Sequence, residues 1–543
     1  MSLGLQICTK KHVIVLCRKR EVQEVAPIFT GGVMKTLGKK LFCLLFCGVS
    51  ILLPIRGNAV DFKVKGAFDI SFETSNVMPL GVGSNDSFQA LQRLRTQIDA
   101  IASEDLSGSL IFTVGTNGQY WGSARDGAAL GSDGNNVVGL RSAYIDWRVP
   151  KTEAKVRMGI QPLMLPGFVT DWSAVYGQIT AGVTVSAPVY ESNGTSVGAT
   201  FFWGRPYNDN SQNTQSGRLE ANYLDNLDVF ALVLPIKAQG LKISPWGMYA
   251  LIGENSLRGI NDNTSQREPA IYAPRGGLMP ILGSGMNYVQ TFERTYRNAN
   301  NTWGNGWWGG LTVNLTQWEP WDIALEGTYG RVDMGELKNY TQFDPNGRSK
   351  TFQLVREGWY AAMRADYKFS WGTPGVLAWY GGGDDDNPYN GSERLPVFNT
   401  PWPVTPLGFG GGFFDLDTWK VLGHNPSGMM GFVGSIKDVS FIDDLKHTLK
   451  FAYFHGTNSS EMPKKANMTS YPTRADGPMA YLTTTDHAWE TSLSSTYKIY
   501  ENLQVNLEGA FVKLYLDPDT WHGVQDSQYE DNWRVSLSFR YTF

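Results

Sequence analysis

Residues 93–99 read Arg-Leu-Arg-Thr-Gln-Ile-Asp, so Arg93, Arg95, Gln97 and Asp99 alternate with Leu94, Ile98 and, beyond them, Ala100. Side chains two residues apart share one face of an extended strand. This order therefore sets two guanidinium groups, an amide and a carboxylate in one row, with an apolar reverse. Guanidinium groups displayed in that way, across from acidic groups, orient polar solutes and penalise apolar ones, or pair with neighbouring acids to stiffen a wall. A second cluster is Gly381-Gly-Gly-Asp384-Asp385-Asp386-Asn387. Three adjacent carboxylates beside a Gly run offer the hard oxygen donors that Ca²⁺ takes, although the spacing is not that of the twelve-residue calcium loop. Acidic loop clusters are equally at home as solvated turns. Asp486-His487, with Ser492 and Ser494, holds the residue types of nucleophilic hydrolysis, but such pairs arise by chance and no catalytic motif surrounds them. An enzyme is not expected. His424, His447, His455, His487 and His522 show no metal-ligand spacing, and apart from that Ca²⁺ no cofactor is expected.

The elements that must carry these residues are strands. In 62–73, Phe62, Val64, Gly66, Phe68, Ile70 and Phe72 take one face, while Lys63, Lys65, Asp69, Ser71 and Glu73 take the other. In 533–543, Trp533, Val535, Leu537, Phe539, Tyr541 and Phe543 alternate with Arg534, Ser536, Ser538, Arg540 and Thr542. A period of two predicts strands with one apolar face. Eighteen segments follow: 62–73, 93–102, 106–115, 140–149, 154–160, 181–190, 195–205, 225–235, 240–252, 307–317, 321–331, 357–369, 374–380, 429–439, 447–457, 487–499, 502–516 and 533–543. Connections of 2–7 residues alternate with connections of 16–54 throughout. That alternation fits a transmembrane antiparallel β-barrel with short periplasmic turns and long extracellular loops. In lipid every backbone N–H and C=O must be satisfied within the structure, so a β architecture spans only as a closed barrel. The segments 181–190, 374–380 and 429–439 are weakly patterned, which leaves sixteen strands as the alternative. Trp121, Trp147, Trp318, Trp321, Trp371, Tyr515 and Trp533 stand near segment ends, where membrane interfaces favour aromatic rings.

Composition agrees. Of 543 residues only 18% are charged and 13% are aromatic, and no apolar run reaches the length of a spanning helix. Met34-Lys35, Lys39 and Lys40, the apolar run 41–53 and the small-residue site Gly57-Asn58-Ala59 read as a signal peptide over 34–59, cleaved near Ala59. Residues 1–33 read as an extension from a mis-assigned start, and 60–543 as one barrel. All four cysteines, Cys8, Cys17, Cys43 and Cys47, precede residue 60, which leaves no disulfide framework beyond it. From residue 60 onward there are 38 Lys and Arg (47 − 9) against 49 Asp and Glu (51 − 2), a net charge of −11. Such a chain repels nucleic acid, and none is expected as a partner.

Arg93–Asp99, Ser103–Ser107, Arg141–Trp147, Val156–Pro162 and the closing Phe539-Arg-Tyr-Thr-Phe543 together resemble the outer-membrane homotrimeric porins of sulfate-reducing, Desulfovibrio-type bacteria. These are related in outline to general diffusion porins. The resemblance implies an outer-membrane location, a homotrimer, and contact with lipopolysaccharide and outer-membrane lipid. It also implies that Phe539, Tyr541 and Phe543 are the signal presented to the barrel assembly machinery. The connection 161–180 is placed by it as the loop that folds into the channel, with Asp171 as its acidic residue. Pro162, Pro166 and Gly167 suit such a defined bend. Arg141 and Arg157 join Arg93, Arg95 and Asp99 on the opposite pore-lining wall. The implied function is passive diffusion of small hydrophilic solutes and ions through a water-filled channel. A substrate-selective, sugar-type porin is the alternative, with Trp303, Trp307 and Trp308 able to supply stacking rings.

Overall fold

The computed structural model describes residues 60–77, 87–114, 121, 138–207, 226–253, 277–278, 296–298, 304–343, 349–398, 402–413, 421–423, 425–466, 481–521 and 531–543. The expected signal peptide and the segment before it lie outside the described residues, as do Trp303, His424 and His522. Eighteen antiparallel strands follow one another around a ring. They are β1 Asp61–Ser75, β2 Ser87–Ser103, β3 Leu106–Val114, β4 Val138–Arg148, β5 Lys155–Met164 and β6 Gly177–Ser192. Next come β7 Thr195–Tyr207, β8 Leu227–Val233 resuming as Ile236–Ala238, β9 Leu241–Ile252, β10 Gly304–Leu315, β11 Trp321–Phe343 and β12 Ser349–Tyr367. The remainder are β13 Thr373–Gly381, β14 Met429–Ile442, β15 Leu445–Gly456, β16 His487–Tyr500, β17 Leu503–Tyr515 and β18 Asp531–Thr542. A short piece, Tyr296–Asn298, adds to the edge of β11. The interruption in β8 falls at Pro235, which has no N–H to donate to a ladder.

Each strand pairs with the next, and β1 pairs with β18 from Ala67 opposite Thr542 to Ser75 opposite Arg534. The ring is closed. All eighteen segments expected from the periodicity are strands, including the three weakly patterned ones, so the sixteen-strand alternative is discarded.

The faces are inverted relative to a water-soluble sheet. Asp69, Ser71, Glu73 and Ser75 of β1 are buried, whereas Phe62 is 65% exposed and Val64 57%. On β18, Asn532, Arg534, Ser536 and Ser538 are buried while Val535, Leu537 and Tyr541 are exposed. Polar residues face inward and apolar ones outward, as a barrel immersed in hydrocarbon requires. Aromatic pairs band the outer face at both ends: Trp321–Tyr367 and Phe369–Trp371 near the short turns, Trp307–Tyr329 and Trp359–Tyr380 near the long loops.

The seam is closed by the C-terminal residue. Gly66 N–H donates to the Phe543 carbonyl at 2.8 Å, and Phe543 N–H donates to the Gly66 carbonyl at 3.1 Å. A Cβ on Gly66 would lie 2.5 Å from the Arg95 carbonyl oxygen and 2.6 Å from the Phe543 ring, so only glycine lets the terminal ring sit there.

Candidate functional site

The wall formed by β18, β1, β2 and β4 gathers basic groups. Asp69 stands opposite both Arg93 and Arg540 in the two ladders it joins. Arg93 Nη2 donates to Asp69 Oδ2 at 3.0 Å and Arg540 Nε to Asp69 Oδ1 at 2.7 Å. Arg95 lies within electrostatic reach of Arg141, Arg93 and Arg540, with Asp69 the opposing carboxylate. Its Nε is buried without a hydrogen-bond partner. Arg141 comes inward through a β-bulge. Ile111 pairs with Ser142 and Phe112 with Leu140, so Arg141 is the extra residue and the strand changes phase across it.

The other residues singled out in the sequence stand elsewhere. Arg157 makes two bonds to Asp146, of 2.6 and 2.8 Å, with its guanidinium 4.1 Å from the Tyr144 ring. That pair sits near the short turn between β4 and β5, away from the Arg95 group. Asp99 accepts from Ser109 at 2.6 Å and from Gln97, lower on the β2–β3 ladder. Asp171 is exposed in a turn with φ of 62° and forms no ion pair among the described residues. The rings proposed for a sugar ladder divide: Trp307 faces outward against Tyr329, while Trp308 is buried and donates to the Pro396 carbonyl at 2.7 Å.

Two connecting segments lie against the inward faces of the strands. Leu165, Val169, Ala174, Val175 and Tyr176 are buried. Arg364 of β12 donates to the Val169 carbonyl at 3.2 Å, and the Glu326 carboxyl of β11 lies beside the Phe168 and Val169 amides. Burial pushes the Tyr176 hydroxyl well above its ordinary value; that hydroxyl bonds Thr180 at 2.8 Å.

The second, 394–398 with 402–413, belongs to a connection that the sequence reads as a long extracellular loop. Leu395, Val397, Phe398, Trp402, Val404, Leu407 and Phe409 are all buried. Their rings form one cluster with inward-facing Trp379, Phe454 and Tyr360: Trp402 is 4.8 Å from Trp379 and 5.7 Å from Phe409, both edge-on. The backbone is held from the wall. Glu490 accepts from the Leu407 and Gly408 N–H groups, each at 2.9 Å, and Glu508 from Phe413 N–H at 3.2 Å. Lys450 donates to the Val404 carbonyl at 2.8 Å, and Arg540 lies over the Phe413 ring at 5.0 Å. The two segments meet where Phe398 N–H donates to the Val175 carbonyl at 2.9 Å. The signal in the sequence was composition: prolines at 396, 401, 403 and 406 among Leu, Val, Phe and Trp are unlike a solvated loop.

The three acids considered for Ca²⁺ go to three different partners. Asp384 is buried, accepts from Ser392 and Tyr481, and forms an ion pair with Arg394. Asp385 accepts from Asn387 N–H and Asn390. Asp386 pairs with Lys465, whose ammonium holds that carboxyl below its ordinary value. They do not converge, and no group of three metal-ligating side chains is found among the described residues.

No family model matches the sequence, and no curated protein matches it. Among solved structures the chain is similar to Pseudomonas aeruginosa OpdK with vanillate, at 11% identity and a TM-score of 0.43, over 89% of this chain and 98% of that one. It is similar to Acinetobacter baumannii OccAB3 at 10% identity and a TM-score of 0.45, over 89% and 99%. It is also similar to Pseudomonas aeruginosa OccK2 (OpdF) in complex with glucuronate, at 10% and 0.43, over 89% and 98%. The molecule is a closed eighteen-strand antiparallel barrel of the transmembrane kind. Its chemistry resides in what lines and what fills the lumen: a wall rich in arginine on one side, and two tethered segments against the other strands.

Proposed function

We propose that this barrel is a substrate-selective porin that passes small hydrophilic anions. The observation that carries the proposal is the Arg95 group. Arg93, Arg95, Arg141 and Arg540 crowd one part of the inner wall, and Asp69 is the carboxylate set among them. Guanidinium groups lining a narrow, low-dielectric passage draw in carboxylates and exclude apolar solutes. The anchored segments 165–176 and 394–398 with 402–413 support selectivity over open diffusion, since both take up lumen cross-section with packed side chains. On this reading the 161–180 connection, with Asp171, is one side of the constriction, and transport needs no catalysis. The protein is not an enzyme.

Several companions of the function belong to the same proposal. They are export by a leader cleaved near Ala59, insertion by the barrel assembly machinery through Phe539, Tyr541 and Phe543, and a homotrimer among lipopolysaccharide. Kinship with the porins of sulfate-reducing bacteria rests on the sequence segments quoted above. Single-channel recording of purified protein with a panel of solutes tests the proposal. Conductance that saturates, and is blocked by small carboxylates, supports it. Large conductance that neither saturates nor depends on solute charge returns the unselective diffusion channel, and block by neutral oligosaccharides returns a sugar channel.

A further inference from the structure

On the outer face, β11, β12 and β13 repeat one order of side chains toward the long loops. Leu325 leads to Tyr329 and then Arg331 and Asp333; Met363 leads to Trp359 and then Glu357, Val355 and Gln353; Val376 leads to Tyr380. Apolar, aromatic, then polar is the order of hydrocarbon, interface and headgroup layer. Past Tyr380 the chain turns back onto β12. Ser392 N–H donates to the Val355 carbonyl and Glu357 N–H to the Ser392 carbonyl, both at 2.8 Å. This covers the edge of β12 above the point where β13 ends.

Between these pieces lies a cavity of about 510 Å³. It is lined by Tyr329, Trp359 and Tyr380 together with Glu357, Asn390 and Glu393. Trp359 and Tyr380 stack at 5.2 Å and 22° on the cavity wall. Asn390 donates to Glu393 at 3.2 Å, and its Oδ1 is buried with no hydrogen-bond partner. Arg331 is already engaged by Asp333 at 3.1 Å and by Glu357. With both Asp333 and Glu357 on that one arginine and Glu393 a further carboxylate on the cavity wall, the cavity repels phosphate. Its complement is a ligand with an apolar C–H face for the aromatic wall and hydroxyl donors for the unpartnered Asn390 oxygen and the carboxylates beside it. That is a sugar ring.

We propose that this outward cavity binds the saccharide headgroup of a glycolipid in the outer leaflet. The outer face and the height just above the aromatic girdle favour a lipid-borne sugar over a free one. The proposal is independent of what crosses the lumen.

Native mass spectrometry of the whole barrel in detergent tests it, with three probes: a monoglucosyl diacylglycerol, the diacylglycerol with the same chains, and methyl glucoside. The expected result is an adduct with the glucosyl lipid that survives micelle removal, falls several-fold in Trp359→Ala and is kept in Trp359→Phe. Asn390→Ala, outside the barrel strands, gives the same loss if Trp359→Ala fails to fold. Equal adducts with the sugar-free lipid, or adducts indifferent to both alanine variants, would overturn the site. Methyl glucoside competing as well as the lipid would overturn the lipid assignment.

Discussion

Arg95 differs from its neighbours because Arg93 and Arg540 share Asp69, whereas the Nε of Arg95 has no partner. Reversing its charge changes the field in the lumen without removing either arginine from Asp69. Arg95→Glu is expected to move the reversal potential in a KCl gradient toward cation selectivity; an unchanged potential would take Arg95 out of the conduction path. Glu490 does different work. Its two bonds to Leu407 and Gly408 hold a backbone turn inside the barrel, and each buried N–H left unsatisfied costs roughly 1–3 kcal/mol. Glu490→Ala should therefore give a noisier and larger single-channel current as the segment loosens. Much of this was legible. The row Arg93, Arg95, Gln97, Asp99 follows from periodicity alone. Arg141 was harder, because the bulge opposite Ile111 breaks the phase of its strand. Arg540 was missed as a member of the group. Its inward phase could be read, but its nearness to Arg93 depends on β1 closing onto β18 across nearly the whole chain.

The strands were readable element by element because hydrocarbon on one face and a polar lumen on the other force a strict two-residue alternation. β6, β13 and β14 were faint for local reasons. Pro188 and Pro374 interrupt donors, Trp379 turns inward to the ring cluster, and β14 carries two irregularities against β15. Connections were readable only as lengths. Whether a long one stands in water or lies in the lumen depends on its own apolar content, and 394–398 with 402–413 is bound by rings that come from four different strands. Trp402 is fully buried at the centre of that cluster. Trp402→Ala removes a core ring, a change worth about 3–5 kcal/mol, and should raise conductance while the strands stay paired. A channel unchanged by it would mean the cluster lies off the path. At the seam, Gly66→Val sets side-chain atoms against the Arg95 carbonyl and the Phe543 ring. Its barrel should lose the folded, fast-migrating electrophoretic form at a lower temperature than the wild type.

For the whole molecule, the decisive property is the inversion of faces: acids, serines and arginines inside, Phe, Leu and Val outside. Residues 60–543 contain no cysteine, so single cysteines report each face cleanly. Cysteine at Phe62 or Leu537 should react with a lipid-soluble maleimide in membranes, and cysteine at Lys65 with a water-soluble one. The central claim, that arginines on the inner wall choose anions, is tested most directly by flux into liposomes carrying the barrel. The solutes are a small carboxylate and its neutral amide of the same size. The carboxylate should enter faster, and Arg95→Gln should erase the difference; equal entry of the two through the wild-type barrel, or faster entry of the amide, would contradict the account.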